Sequence, residues 1–270
     1  MLRLRQLAIL SFSIAAGFAA AGAETPPAGK SGARTAAPFS VGGNVALEAF
    51  ISLADGHLQK TADVLRLLAE TEDVRSGDWE RIRRPLARAA EVTVPAVLWF
   101  ARPDGEYWTA PIGRAPGNIA RREYFPRLLA GRAVLGDLVV SQSTTRNTAI
   151  VAVPVRGGPR ESVVGALGAS VYLDRLGEIV RGEMGGLEPD LVFFAIDGKP
   201  IGALHSDPSM IFTEPMKLGD ETMRRAFARI LSSDEGTVTY TFRGRSRTML
   251  YRKSRVTGWW YALGVGGRQP

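Results

Sequence analysis

The stretch Pro95-Ala-Val-Leu-Trp-Phe-Ala-Arg-Pro-Asp-Gly105 is an apolar run that ends in an Asp-Gly turn, and residues 106–110 follow it as a return strand. Asp-Gly between apolar runs is a strong signal for a β-hairpin. A helical pattern comes next, at 119–129. Three further strands are predicted at 138–142, 148–155 and 163–173. This part of the chain therefore predicts a small antiparallel sheet with one helical connection.

The same order of elements recurs further along the chain. Leu191-Val-Phe-Phe-Ala-Ile-Asp-Gly198 is again an apolar run before an Asp-Gly turn, and residues 200–204 form the return strand. Asp220 is placed to cap a helix over 221–231. The last three strands are predicted at 237–242, 248–253 and 259–265. Two blocks with one order of elements indicate a duplicated architecture of roughly five strands each.

A long helix is predicted before the two blocks. Its apolar positions recur at helical spacing, at Leu47, Ile51, Ala54, Leu58, Leu65 and Leu68. A second helix is expected to begin at Ser76 and to be kinked or broken by Pro85. The predicted fold class is α+β. The predicted regions are N-terminal helices (44–94), a first module (95–185), a second module (186–266) and a tail (267–270).

The first 23 residues have the features of a secretory signal peptide. Arg3 and Arg5 precede an uncharged apolar run, and Ala21-Gly-Ala23 is a small-residue cleavage site. Residues 24–43 are rich in Pro, Gly, Ala and Ser, which predicts a flexible linker. No second membrane-spanning stretch is predicted. We therefore expect a soluble periplasmic protein, with an uncleaved single membrane anchor as the alternative.

The composition excludes several classes of site. The chain has no cysteine, which rules out disulfides, thiol catalysis and zinc–thiolate centres. Its formal net charge of +7 favours anionic partners such as acidic small molecules or lipid surfaces. The basic residues are scattered, so nucleic acid is not expected as a partner. The densest group has the spacing of a solvated helix face and consists of Arg81, Arg83, Arg84 and Arg88.

Catalytic motifs are weak in this sequence. One of its two histidines, His205, stands next to Ser206 and Asp207, but adjacent residues of one extended segment cannot form a Ser-His-Asp triad. Neither a His-Glu-x-x-His motif nor EF-hand spacing of carboxylates is present. We therefore expect no metal, no cofactor and no enzymatic activity. A small periplasmic hydrolase that uses His205 is the alternative.

Polar and aromatic side chains of the first block predict a ligand pocket between its sheet and its helical connection. Arg122 is suited to hold a carboxylate through its two-pronged guanidinium. In a purely structural role it would instead pair with Glu123 or Asp137. The candidate binding residues are Tyr107, Trp108, Arg122, Tyr124, Phe125, Ser141, Ser170 and Tyr172.

Four motifs of the first block resemble the Cache family, the extracytoplasmic sensor modules of bacterial chemoreceptors and sensor kinases. They are Arg122-Glu-Tyr-Phe125, Gly136-Asp-Leu-Val-Val-Ser141, Ala149-Ile-Val-Ala-Val-Pro154 and Val164-Gly-Ala-Leu-Gly168. The second block is similar to the membrane-proximal half of the double-Cache form. The resemblance covers residues from about 45 to 265 and implies two PAS-like modules behind one long helix.

The resemblance also implies where a ligand binds. Family members bind small ligands in the first, membrane-distal module. Members that bind amino acids hold the carboxylate with an Arg and two aromatic residues, a pattern that Arg122, Tyr124 and Phe125 match. Those members hold the amine with an Asp on the last strand of the module, where this chain has Ser170. A carboxylic acid without a cationic amine is therefore the expected ligand.

Typical family members lie between two membrane helices, and the second helix leads to a cytoplasmic output domain. In this sequence little follows the last predicted strand. We therefore expect a sensor protein that passes its signal to a partner, such as a membrane sensor or receptor. The alternative within the same fold is an envelope protein-interaction module whose pocket is vestigial and filled by its own aromatic side chains.

Overall fold

The computed structural model describes residues 42–158, 161–185 and 191–266. The predicted signal peptide, nearly all of the predicted linker and the predicted tail lie outside these ranges. Within them, no helix is both long enough and apolar enough to cross a membrane.

The long N-terminal helix is confirmed as α1, which runs from Gly43 to Ala69. Its 27 residues extend for about 40 Å at the rise of an α-helix. The predicted apolar stripe faces the protein core, since Leu47, Leu58 and Leu65 are almost fully buried. Thr61 stands in the same stripe and is also buried. Its hydroxyl donates a hydrogen bond to the carbonyl of His57 (2.9 Å), so the buried polar group has a partner.

A short helix α2 (Glu72–Arg75) and the helix α3 (Trp79–Ala89) follow. The side chain of Asp78 caps α3 by accepting a hydrogen bond from Glu80 N (3.0 Å), so the start predicted at Ser76 is wrong. Pro85 lies inside α3 and does not end it. The apolar face of the helix is buried on both sides of this proline, and that packing offsets the lost backbone hydrogen bond.

The first module is a six-stranded antiparallel sheet with the order β3-β2-β1-β6-β5-β4. Its strands are β1 (Ala96–Ala101), β2 (Tyr107–Thr109), β3 (Gly113–Arg114), β4 (Val134–Val140), β5 (Asn147–Gly157) and β6 (Ser162–Tyr172). Five of these were predicted, and the sixth, β3, has only two residues. The Asp-Gly hairpin joins β1 to β2 as expected.

The helical connection of this module is shorter than predicted. Only α4 (Phe125–Leu129) is helical, and Pro126 stands in its first turn, where a proline is tolerated. The preceding residues form turns that Asn118 holds with its side-chain amide. That amide accepts from Ala120 N (2.8 Å) and donates to Asp104 O (2.9 Å). We call residues 119–125 the connecting segment.

The second module is a five-stranded antiparallel sheet with the order β8-β7-β11-β10-β9. Its strands are β7 (Leu191–Ile196), β8 (Gly202–His205), β9 (Glu235–Phe242), β10 (Arg245–Lys253) and β11 (Trp260–Gly266). Its helices are α6 (Pro215–Leu218) and α7 (Glu221–Ser232), with a single 3-10 turn at Pro208–Met210. Asp220 caps α7 as predicted, accepting a hydrogen bond from Met223 N (3.1 Å). Without β3, the two sheets have the same strand order, which confirms the duplicated architecture.

The modules are joined by α5 (Leu173–Glu183), which follows β6 directly and was not predicted. The largest apolar cluster includes residues of α1, of α5 and of both sheets. Two smaller clusters lie on the opposite faces of the sheets, one in each module. Each sheet therefore packs one face toward α1 and covers its other face with its own connection. The candidate sites lie under these connections.

Candidate functional site

A cavity lies in the first module between the sheet and the connecting segment. Five of the eight predicted site residues line it, namely Tyr107, Arg122, Tyr124, Ser141 and Ser170. They come from β2, the connecting segment, the end of β4 and β6, which are distant in sequence. The fold thus brings together most of the residues that were selected from their chemistry alone.

The other three predicted residues lie outside this cavity. Trp108 follows Tyr107 on β2 and points to the other face of the sheet, where it stacks on Trp79 of α3 (ring centroids 6.5 Å apart). Phe125 is 1% exposed and belongs to the apolar cluster under the connecting segment. The ring of Tyr172 packs under the guanidinium of Arg146, 3.6 Å from its centroid.

Several lining residues were not among the sequence candidates. Trp99 of β1 and Ile150 of β5 contribute apolar surface to the cavity, and Gln142 and Ser143 contribute polar groups after β4. The alternation of side chains along β1 and β5 was the signal that could have identified the first two. That alternation separates the two faces of a strand, but it does not tell which face carries the cavity.

Among the residues that the structure describes, Arg122 is the only one with a charged side chain that lines the cavity. It does not pair with either carboxylate considered above, because Glu123 pairs with Lys199 (2.5 Å) and Asp137 pairs with Arg127. Instead its Nη2 donates a hydrogen bond to the carbonyl of Val140 (3.0 Å). The guanidinium charge is therefore not neutralised by a described acidic residue.

The two tyrosines of the cavity are neutral hydrogen-bond donors at physiological pH. Burial raises the pKa of the Tyr124 hydroxyl well above its usual range, and the charge of Arg122 offsets only part of this effect. Burial likewise raises the pKa of Tyr107, against the opposing effects of Ser143 and Arg122. The cavity therefore offers one cation and several hydroxyl groups, the combination that suits an oxygen anion.

The cavity is almost closed. The volume that the centre of a water molecule can occupy is only about 20 Å³, which is room for one or two waters. Arg122, Tyr124 and Val139 also line an open cleft of about 650 Å³ between the two modules. The hydrogen bond from Arg122 to Val140 thus lies in the wall that separates the cavity from the cleft.

Two polar contacts between described residues cross this cleft. The first is the ion pair between Glu123, in the connecting segment, and Lys199, in the β7–β8 turn. The second is a buried hydrogen bond from Trp259 Nε1 to the carbonyl of Gly136 on β4 (2.8 Å). Gly136 has a φ of +94°, and an added Cβ would lie 3.0 Å from Trp259 Nε1. A glycine at this position is thus required by both backbone conformation and close packing.

A second cavity lies in the second module and includes His205. The imidazole stacks on Phe194 (ring centroids 6.3 Å apart), and its Nδ1 accepts a hydrogen bond from the backbone N–H of Asp207 (2.8 Å). The Asp207 carboxylate accepts instead from Ser209, through both its backbone N–H and its hydroxyl. The Ser-His-Asp relay that a hydrolase would need is therefore not formed here.

His205 is expected to make the folded state less stable in mild acid. Burial, reinforced by the charge of Arg247, lowers its pKa from 6.5 to about 4. The unfolded chain therefore binds this proton more tightly, so the free energy of unfolding should fall as the pH drops from about 6.5 to about 4. The expected loss is about 2–3 kcal/mol.

Chemical denaturation between about pH 4 and pH 7 measures this loss. The variant His205→Gln should show a smaller dependence on pH than the wild type. His57→Gln changes the other, more exposed histidine and serves as the matched control, since it should keep the dependence. Equal pH slopes in the wild type and in His205→Gln would contradict the assignment.

The sequence matches no family model and no curated protein. Solved structures resemble it in fold. The ligand-binding domain of the Pseudomonas aeruginosa amino acid chemoreceptor PctB, in complex with L-Arg, is 16% identical, with a TM-score of 0.66 over 83% of this chain and 86% of that one. The ligand-binding domain of the Pseudomonas fluorescens chemoreceptor CtaA, in complex with L-isoleucine, is 15% identical (TM-score 0.62; 83% and 89%).

The sensor domain of the V. cholerae histidine kinase DctB is 14% identical, with a TM-score of 0.61 over 84% of this chain and 96% of that one. At these identities the similarity establishes the fold. Together with the repeated strand order and the long helix α1, it confirms the fold that the Cache motifs predicted. The chain therefore has the fold of the double-Cache ligand-binding domains of bacterial chemoreceptors and sensor histidine kinases.

Proposed function

We propose that this chain is a periplasmic sensor protein that binds a small carboxylic acid without a cationic amine in its first module. The observation that carries the proposal is the charge of the cavity. Arg122 lines it, and no acidic side chain does so among the described residues. An amino acid would bury its ammonium group there without a counter-charge, which is strongly unfavourable. A carboxylate alone has no such cost.

Binding requires Arg122 to change partners. Its guanidinium would leave the carbonyl of Val140 and donate two parallel hydrogen bonds to the carboxylate of the ligand. The hydroxyls of Ser141 and Ser170 are placed to complete the polar contacts. Trp99 and Ile150 would contact the carbon skeleton, since small-molecule pockets combine apolar walls with a few placed polar groups.

The connecting segment links this event to the second module. Arg122 and Tyr124 line the cavity, whereas Glu123 between them forms the ion pair with Lys199 across the cleft. A ligand that draws Arg122 away from Val140 therefore also acts on the residue that contacts the second module. The chain would then exist in two states, one with Arg122 on Val140 and one with Arg122 on the ligand. The ligand shifts the equilibrium between them by as much as its affinities for the two states differ. A membrane sensor or receptor is the partner that would respond to the altered state.

Isothermal titration calorimetry on the mature chain tests the proposal. The panel contains organic acids and, for each, the amino acid with the same skeleton. We expect an organic acid to bind at least about tenfold more tightly than its amino-acid counterpart, because the ammonium group lacks a partner. An amino acid that binds as tightly as its deaminated counterpart would overturn the assignment of ligand class.

Arg122→Ala should lower the affinity for the best acid about 100-fold, since two charge-assisted hydrogen bonds are lost. Arg121→Ala is the matched control, because Arg121 is the preceding residue, is exposed and does not line the cavity. Unchanged affinity in Arg122→Ala would remove this residue from the site. The absence of any binding across the panel would favour the protein-interaction module, whose pocket is filled by its own tyrosines and tryptophan.

A further inference from the structure

The second module contains a cavity at the position that corresponds to the first one, between its sheet and α7. We propose that this cavity is a second binding site, which takes short-chain monocarboxylic acids. His205, Tyr240 and Arg247 form its polar end, and an apolar chamber forms the rest. It shares no lining residue with the cavity of the first module, so the proposal does not depend on the function of that cavity.

The polar end offers the ring N–H of His205 as a hydrogen-bond donor. His205 is 9% exposed, and its Nδ1 is occupied by the N–H of Asp207. The neutral ring therefore carries its proton on Nε2, for which the described part of the chain provides no acceptor.

Arg247 adds a positive charge beside this donor. Burial lowers the pKa of His205, and the charge of Arg247 lowers it further. Burial raises the pKa of Tyr240, and the charge of Arg247 opposes this effect. No carboxylate in the described ranges forms an ion pair with Arg247, and its guanidinium lies over the ring of Phe242 at 5.0 Å. The guanidinium also donates a hydrogen bond to the Tyr240 hydroxyl. An imidazole N–H, a phenol and a guanidinium without a carboxylate partner on one cavity wall are suited to hold a carboxylate.

The remainder of the cavity is apolar. Its walls include Ile196, Leu204, Met210, Met223, Phe194 and Phe227. A second carboxylate or an ammonium group would be buried there without a partner, which disfavours dicarboxylic acids and amino acids. An unbranched apolar chain fits, because the two methionines are flexible and adapt to the shape of a ligand.

The size of the cavity limits the ligand. The volume that the centre of a water molecule can occupy is only about 10 Å³. A bound acid must therefore be short and must displace side chains. Arg247 is half exposed at the rim, and the methionine side chains rotate easily. The chemistry and the size together indicate acids of a few carbon atoms, such as butyrate.

NMR spectroscopy on the full chain with ¹³C-labelled methionine methyl groups tests this site, with sodium butyrate as the probe. We expect the Met210 and Met223 methyl signals to shift during the titration, while succinate and butylamine leave them unchanged. Methyl signals of these two residues that do not respond to saturating butyrate would overturn the proposal.

Variants separate the two cavities. Arg247→Gln should weaken the butyrate response at the methionine methyl groups about tenfold or more, because a charge-assisted hydrogen bond is lost. Arg245→Gln is the matched control, since Arg245 is exposed on the same strand and does not line the cavity. The response should also persist in Arg122→Ala. A response that Arg122→Ala abolishes and Arg247→Gln leaves intact would place butyrate in the first module and overturn the proposal.

Discussion

Replacement of Asp55 by alanine is expected to lower the free energy of unfolding by about 3–5 kcal/mol, because several buried hydroxyl groups lose their acceptor together. Asp55 lies on α1 and is 7% exposed. Its Oδ1 accepts hydrogen bonds from Tyr261 (2.7 Å) and Thr257 (3.2 Å), and its Oδ2 accepts one from Ser254 (2.5 Å). Tyr261 is completely buried, so no water can replace the lost carboxylate there.

The loss of stability in Asp55→Ala should exceed that of a single hydrogen bond, because Asp55 connects α1 to the turn between β10 and β11. The same turn leads into Trp259, whose indole N–H donates to the carbonyl of Gly136 in the first module. Burial raises the pKa of the Asp55 carboxyl, although hydrogen bonds from Ser254, Tyr261 and Thr257 oppose this effect. The carboxyl group is thus held in place by the hydroxyls around it.

Urea denaturation followed by circular dichroism measures the expected loss. Asp63→Ala is the control, since Asp63 lies on the same helix but is exposed and pairs only with neighbours on its own helix, Gln59 and Arg66. Its removal should change the free energy of unfolding by less than about 1 kcal/mol. Asp55→Asn keeps one acceptor oxygen and should fall between the two. Similar small effects for both alanine variants would show that the buried network contributes little.

Local signals in the sequence were sufficient for the duplicated architecture. An apolar run followed by Asp-Gly defines a hairpin without any information from distant residues, and this happens once in each module. The cap at Asp220 and the stripe of α1 are local in the same sense. Helix α5 was missed, although Leu173, Leu176 and Val180 stand at helical spacing. It follows β6 without an intervening glycine or proline to mark the change from strand to helix.

The site was predictable only in part, because side-chain chemistry does not show which face of a sheet is covered. Tyr107 and Trp108 are neighbours on β2 and were equal candidates. The position of α3 decides between them, since it stacks Trp79 on Trp108 and leaves Tyr107 for the cavity. The second cavity was not predicted at all. Its walls come from β7, β8, α7, β9 and β10, and only the folded chain brings these elements together.

Gly168→Ala is expected to lower the free energy of unfolding by about 3 kcal/mol and to abolish ligand binding in the first module. Gly168 lies on β6, directly opposite Trp99 on β1. A Cβ at this position would overlap the six-membered ring of the Trp99 indole. Trp99 is 3% exposed and lines the cavity, so the free space into which its ring can move is the cavity that we propose binds the ligand.

Gly56→Ala is the matched control for this substitution. Gly56 lies inside α1, and no atom lies within 4 Å of the Cβ that alanine would add. Alanine should there raise the free energy of unfolding by about 0.5–1 kcal/mol, because glycine is a poor helix former. The two substitutions add the same methyl group, so opposite changes in the free energy of unfolding would show that the loss at position 168 comes from the surroundings of the added Cβ. Chemical denaturation gives both values, and calorimetry with the best organic acid gives the affinity.

A double variant identifies Trp99 as the cause of the loss. Trp99→Phe removes the indole atoms that an alanine at position 168 would overlap. In the background of Trp99→Phe, the step Gly168→Ala should therefore cost much less than in the wild type, which a double-mutant cycle expresses as a coupling energy of about 2 kcal/mol. If the step costs the same in both backgrounds, the destabilisation arises from the β6 backbone. The glycine would then be required by the strand and not by the ring that lines the proposed ligand cavity.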